Sequence, residues 1–247
     1  MNLIPFPSAR VLPAASALET NERDVYSEHY AHPIKDVDTI NRISKFLVSG
    51  KRYRDNAIFI IGINVGLRCS DLRELKVGDF LNADGAFKER FYLIESKTSH
   101  SRKLKQNRHI TINSAVKEAL TLLLKNKKEY SLDDYLFTGN SNRCAANTPL
   151  TRQSFDRIIK GIMADLNVEG RYATHTLRKT FGYHIMKQNN NDSRTLMLLQ
   201  QIFGHSSSAI TLRYIGFTEE EIDNTYKNLN LGVQNSIQPS YLATYTS

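Results

Sequence analysis

The chain has 247 residues, 40% hydrophobic and 23% charged, the balance of a globular protein long enough to bury a sizeable core. No run approaches the roughly 20 apolar residues that span a bilayer, and the N-terminus "MNLIPFPSARVLPAASALET" lacks the basic start and unbroken apolar stretch of a signal peptide. A net charge of +8 points to a polyanionic partner, and two cysteines, Cys69 and Cys144, point to free thiols in a reducing cytoplasm.

Residues 1–35, rich in Pro, Ala and polar side chains, read as an arm. The first amphipathic helix is expected over 36–47, with Ile40, Ile43 and Leu47 on one stripe. A strongly apolar, buried helix follows over 53–65, with Gly66 as its stop. Ser70 then reads as the N-cap of a short helix, 71–76. Residues 90–96 and 108–112 have the composition and alternation of two strands. They flank "KTSHSRKLKQNRH" (97–109), which carries Lys97, Arg102, Lys103, Lys105 and Arg108 without an acid, so the connection is basic and too long for a tight turn. Helices are expected at 114–127, 151–166, 175–188, 193–203 and 208–215, with Leu177, Phe181 and Ile185 as the core stripe of the third of these. Gly204 ends the fourth, and Thr218 with Glu221 fits a capping box for a helix over 218–229. Residues 231–247 hold no charge. The fold class is mainly α with a small antiparallel sheet. It has no internal repeat and no Gly-rich phosphate loop, and with no CxxC or HExxH pair it offers no zinc pattern.

Three short stretches carry polar residues where a solvated surface does not need them. In "ATHTLRKTFGYH" (173–184), His175, Arg178 and Gly182 fall within about 60° of one another around a helix axis. Gly182 costs roughly 1 kcal/mol of helix stability against Ala, a gap that would let a partner approach between the polar residues. Alone, this stretch fits either a functional pair or the edge of an ordinary helix. In "GLRCSDL" (66–72), Arg68 sits between a helix stop and a helix start, with Asp71 placed to hold its guanidinium. In "FGHSSSAITLRY" (203–214), His205 follows a helix-ending glycine and Tyr214 lies on the next helix.

Order and spacing together resemble the tyrosine recombinase (phage integrase) family over about residues 36–230. "GLRCSDL" resembles its first arginine box, "THTLRKTFGYH" its His-x-x-Arg box, and "FGHSSSAITLRY" its Gly-His box with the nucleophilic tyrosine. "ESKTSHSRK" resembles its lysine-bearing β-hairpin. The resemblance implies that Tyr214 attacks the scissile phosphate and forms a 3′-phosphotyrosyl link. Arg68 and Arg178 would hold the non-bridging oxygens, with Asp71 supporting the first arginine. His175 would serve as acid–base and hydrogen-bond donor, and His205 as a second donor. Lys97 would protonate the leaving 5′-oxygen, with Lys103 and Lys105 as rivals, while Arg102, Lys103, Lys105 and Arg108 would meet DNA phosphates. Tyr183 is the rival tyrosine, read as a packing residue, as is Cys69. One departure is that "IG" follows Tyr214, where the family often has a histidine two places on.

Elementary chemistry suits these roles. A five-coordinate phosphorus gathers charge on its equatorial oxygens, which the planar, permanently charged guanidinium matches. A phenol with a pKa near 10 needs cations and a base to attack at neutral pH. The phosphotyrosine keeps the bond energy, so religation calls for no nucleotide, metal or other cofactor. The resemblance also implies double-stranded DNA sites as partners, a tetramer on paired sites, a cytoplasmic location and no membrane. It makes residues 36–230 the catalytic domain; the uncharged 231–247 reads either as a plain disordered tail or, as family members commonly pass their C-terminal segment to a neighbour, as one that docks on a neighbouring protomer with Ile237, Tyr241 and Leu242 as anchors. Family members usually carry a helical core-binding domain ahead of the catalytic one. With only the arm before it, this chain resembles short members such as the fimbrial switch invertases, or is a fragment. Two other readings stay open: a type IB topoisomerase and a DNA-binding protein that does not cleave.

Overall fold

The computed structural model describes residues 31–93, 108–127, 129–139, 147–216, 226–229 and 231. Helix α1 (Val37–Ser49) starts where the Asp36 carboxylate accepts from the backbone N–H groups of Asp38 and Thr39, and it buries Ile43 and Leu47. Helix α2 (Tyr53–Val65) buries Ala57, Ile58, Phe59, Ile61 and Val65 together with Asp55 and Asn56, and none of its residues is exposed. It stops at Gly66, whose φ of 59° is left-handed, as the sequence predicts for a glycine stop.

The next helix departs from the prediction. α3 covers Cys69–Leu72, earlier and shorter than 71–76, and Ser70 lies inside it. The first turn closes on the carbonyl of Arg68, which accepts from the N–H groups of Asp71 and Leu72. The chain then extends, and Lys76 bridges to Tyr135 before a four-residue helix, α4 (Val77–Phe80), too short for periodicity to reveal. Strands β1 (Arg90–Leu93) and β2 (Arg108–Thr111) pair antiparallel with Phe91 opposite Ile110, both buried. Their basic connection lies outside the described residues.

Helices α5 (Ser114–Lys125) and α6 (Arg152–Asp165) are capped by Asn113 and Thr151 side chains. Helix α7 (His175–Gln188), α8 (Ser193–Phe203) and α9 (Ser208–Ile215) have the predicted bounds. α8 and α9 are capped at their starts by Asp192 and Ser207 and stop at left-handed Gly204 and Gly216. The Thr218–Glu221 capping box lies outside the described residues, of which 226–228 form a helical turn.

The apolar residues form two clusters. A large one joins α1 to α6 and includes Leu177 of α7. A small one holds Met186, Leu199, Phe203 and Ile215, with Phe181, Ile185 and Tyr214 packed against it. So the predicted α7 stripe is divided: Leu177 faces one cluster, Phe181 and Ile185 the other. At Gly62 of α2 an added Cβ would lie 2.9 Å from the Leu177 Cβ, which shows how closely α2 and α7 cross. Residues just before α1 also bond to α7. Ile34 N–H donates to Thr180 Oγ1 at 2.9 Å, and its carbonyl accepts from His184 Nε2 at 2.9 Å. Among the described residues no helix is long and apolar enough to cross a membrane.

Candidate active site

α7 supplies the centre of the site because it runs along the seam between the two clusters. His175 is its first residue, and Arg178 lies one turn on, only 2% exposed. Arg178 donates through Nη1 to Gly66 O at 2.6 Å and through Nη2 to Phe203 O at 3.0 Å. Arg68 Nη2 donates to the same Phe203 carbonyl, also at 3.0 Å. The left-handed turn at Gly66 brings the first arginine in, and the C-terminus of α8 offers the carbonyl, at the negative end of a helix dipole. The Arg178 guanidinium also lies over the Phe203 ring, 4.5 Å from its centroid. Burial pulls its pKa down to about 9, where it is still charged at neutral pH; Tyr214 and Asp71 favour the charge, and Arg68 and Arg108 oppose it.

Tyr214, in the last turn of α9, reaches back to α7. Its Oη is 3.2 Å from His175 Nδ1. Its ring packs edge-on against His205 and Phe203, with centroids 5.0 and 5.4 Å away. Burial raises the phenol's pKa, and the charges of Arg178 and Arg68, with a hydrogen bond from Arg178, pull it back. His205 Nδ1 lies 3.0 Å from Thr211 Oγ1, which fixes the orientation of that ring. The His175 pKa is lowered by burial first, then by the charges of Arg152, Lys179, Arg178 and Arg68. A neutral imidazole can accept a hydrogen bond from a hydroxyl at Nδ1 when its proton is on Nε2.

Gly182 has a different partner from the one its spacing suggested. An added Cβ would lie 2.5 Å from Ile215 Cγ2 and 2.8 Å from Phe203 Cζ. The gap admits the chain's own α8 end and α9, and so seats the tyrosine helix. Arg108, read from sequence as a DNA-phosphate contact, is partly buried. It donates to Val65 O at 3.0 Å, and burial lowers its pKa to about 10. Strand alternation puts it on the same face as Ile110, a signal the sequence already held. Asp71 is buried beside these cations, and its charge acts on both Arg108 and Arg178. Tyr183 is half-buried elsewhere on α7, with the Lys35 and Lys187 ammonium groups 5.5 and 5.7 Å from its ring centroid. Burial pushes the half-buried Cys69 thiol up to about 11, as suits a packing residue. Lys97, Arg102, Lys103, Lys105 and Cys144 lie outside the described residues.

Two features of the site escaped sequence reading. One is the Phe203 carbonyl, which no side-chain pattern encodes. The other is Lys179, 5% exposed, with Nζ 5.3 Å from the Tyr214 ring centroid. Its spacing of four from His175 put both on one helix face, but a lysine beside an arginine reads as solvated. Among the described residues no three His, Cys, Asp or Glu side chains gather as a metal site.

A fold of helices around a two-stranded sheet, with two arginines, two histidines and a tyrosine drawn to one seam, is that of a tyrosine recombinase catalytic domain. The chain belongs to the phage integrase family, whose model matches residues 35–221. It is similar to a probable integrase/recombinase, YoeC, of Bacillus subtilis (strain 168), 35% identical over 199 residues that cover 81% of this chain and 97% of that one. It is also similar to the tyrosine recombinase XerD of Oceanobacillus iheyensis, 27% identical over 77% of this chain but only 60% of the relative. The fold matches the crystal structure of XerA recombinase (TM-score 0.55, 22% identity, 80% of this chain and 65% of that one). It matches XerH site-specific recombinase bound to palindromic difH substrate as well (TM-score 0.58, 17% identity, 78% and 51%).

Proposed function

We propose that this chain is a site-specific recombinase that breaks and rejoins DNA through Tyr214. The observation that carries the reading is the meeting of Tyr214 Oη with His175 Nδ1 at 3.2 Å, beside two guanidiniums that converge on one carbonyl oxygen. In this reading the scissile phosphate exchanges its oxygens for that carbonyl on Arg68 and Arg178, since an ionised acceptor binds a guanidinium about twice as strongly as a neutral one. His175 takes the phenol proton as the Tyr214 oxygen bonds to phosphorus. The phosphorus–5′-oxygen bond breaks, and Lys97 gives the departing oxygen its proton. His205 donates to the phosphate, and Asp71 keeps the buried guanidiniums charged. A 5′-hydroxyl then attacks the phosphotyrosine, the steps reverse, and the strand is sealed.

Double-stranded DNA sites are the substrate, bound in the cytoplasm. A tetramer on two sites carries out exchange, with the 231–247 tail docked on the neighbouring protomer. Arg102, Lys103 and Lys105 hold phosphates around the site. The test is covalent capture. Duplexes selected from a random library by binding to the protein are nicked beside candidate positions and incubated with the wild-type chain and with Tyr214→Phe. The wild type is expected to migrate as a DNA adduct on a denaturing gel, and the Phe chain is not. An adduct from Tyr214→Phe would move the nucleophile elsewhere. Supercoil relaxation without recombinant products would favour topoisomerase activity.

A further inference from the structure

The segment just ahead of α1 is held to α7 through both main-chain groups of one residue. Ile34 donates its N–H to Thr180 Oγ1 at 2.9 Å, and its carbonyl accepts from His184 Nε2 at 2.9 Å. Thr180 and His184 stand four apart, so they share one face of the helix. Buried main-chain groups usually pair within a helix or a sheet, whereas here both groups of a residue 2% exposed are met by side chains. Fully buried Thr180 uses its hydroxyl twice, accepting from Ile34 and donating to Thr176 O at 2.8 Å. To one side of Ile34, His32 N–H donates to Arg171 O at 2.7 Å, and Arg171 N–H donates to His32 Nδ1 at 3.3 Å. To the other side, the Lys35 ammonium lies 5.5 Å from the Tyr183 ring centroid.

Between these anchors sits Pro33, itself buried. A Cβ added at Gly216 would lie 3.0 Å from Pro33 Cγ and 3.2 Å from its Cδ, so the proline ring rests on the residue that ends α9, two places beyond Tyr214. α9 has eight residues and buries Thr211 and Ile215. A helix so short is marginal by itself, and its position depends on what holds its two ends. The Ser207 side chain caps the start, and Pro33 meets the stop.

We infer that residues 32–35 form a strap that positions the tyrosine helix: Ile34 is latched to α7 by Thr180 and His184, and Pro33 closes on Gly216, so that the last turn of α9 presents Tyr214 to His175. This rests on Tyr214 being the nucleophile. Pro33 and Ile34 are positioning residues in this role and act through α9.

The test uses two independent changes in the full chain. Pro33→Ala removes the ring that meets Gly216 and leaves the latch in place. Thr180→Val keeps the volume and removes the acceptor of the Ile34 N–H, while Thr180→Ser keeps a hydroxyl. In single-turnover cleavage of a nicked duplex captured as above, the Ala and Val chains are expected to be about tenfold slower with unchanged DNA affinity, and the Ser chain to keep most of the rate. A Pro33→Ala chain at the wild-type rate, or a Ser chain as slow as Val, overturns the inference. If Thr180→Val does not fold, Pro33→Ala decides alone. A second measurement needs no DNA. Amide exchange over 211–216 is expected to be about tenfold faster in Pro33→Ala, with α2 exchanging as before. Unchanged exchange over 211–216 overturns the inference, and so does an equal quickening in α2, which would make the strap a general stabiliser. If the wild type forms no adduct, the recombinase reading fails, and this exchange still decides whether the strap holds α9.

Discussion

The two apolar clusters differ in size and in what they carry. The large cluster draws on seven helices and both strands, and it anchors Arg68, Asp71 and Arg108. The small cluster has four buried residues, Met186, Leu199, Phe203 and Ile215, and it anchors His205 and Tyr214. α7 belongs to both. A site divided in this way places Arg68 of its proposed phosphate clamp beside the larger cluster and its proposed nucleophile beside the smaller one. Local opening follows local burial, so α8 and α9 are expected to exchange amide protons ahead of α2 and α5. The comparison teaches that reactive geometry here depends on docking one small helix, α9, rather than on the stability of the whole.

The largest effect is expected in the large cluster. Phe59 is fully buried, and Phe59→Ala should cost about 3–5 kcal/mol, read as an early urea midpoint for all helices together. A loss confined to one region would deny that this cluster is the common core. Gly182→Ala tests the seam. The new Cβ meets Ile215 and Phe203, and overpacking of this kind costs roughly 1–3 kcal/mol, but the damage should fall on α9. Faster amide exchange in 208–215 and loss of adduct formation are expected, while α2 exchanges as before. An unchanged adduct yield would show that the α7–α9 contact does not set the tyrosine.

Smaller still, Asp192→Ala removes the side-chain cap of α8, worth about 1 kcal/mol. Exchange at the start of α8 should quicken with little change in the global midpoint. A fall of the global midpoint by the full amount, with α8 exchange unchanged, would mean that the small cluster never opens on its own. The smallest effect is a pH dependence. His175 is lowered from its usual 6.5, so the unfolded chain binds more protons there than the folded one as pH falls. The stability it lends is full above about pH 6.5 and is lost as pH drops through the folded value. His175→Gln should flatten part of that slope in urea midpoints taken at several pH values, and His32, lowered by its own burial, accounts for a further part. An identical slope in both chains would place the proton uptake elsewhere.

The helices were legible because periodicity and glycine stops are local. Gly66 and Gly204 take the left-handed turns their positions suggested, and α7, α8 and α9 have the bounds read from sequence. α3 was misjudged because its cap is a carbonyl on Arg68 and not the Ser70 side chain. In the site, the residue types and order of Arg68, His175, Arg178, His205 and Tyr214 could be read directly, but their depth could not. Helical phase placed Arg178 beside the apolar stripe, and only packing of α2, α8 and α9 around it makes it 2% exposed. Lys179 was hidden for a related reason. A cation in a basic run reads as solvated until its neighbours in space, not in sequence, are known.

The shared oxygen on Phe203 has a consequence for how this site is searched by mutation. It is a main-chain atom, so every residue placed at 203 presents the same acceptor to Arg68 and Arg178. A scan of side chains would register the lost ring and score the position as packing. What sets the oxygen's location is the last turn of α8 and the left-handed Gly204 that ends it. Any other residue at 204 strains a φ of 64° and sets its Cβ 3.8 Å from Arg68 Nη2. The electrostatic rest state of two arginines is therefore encoded in a glycine that bears no charge, one position beyond the carbonyl they share.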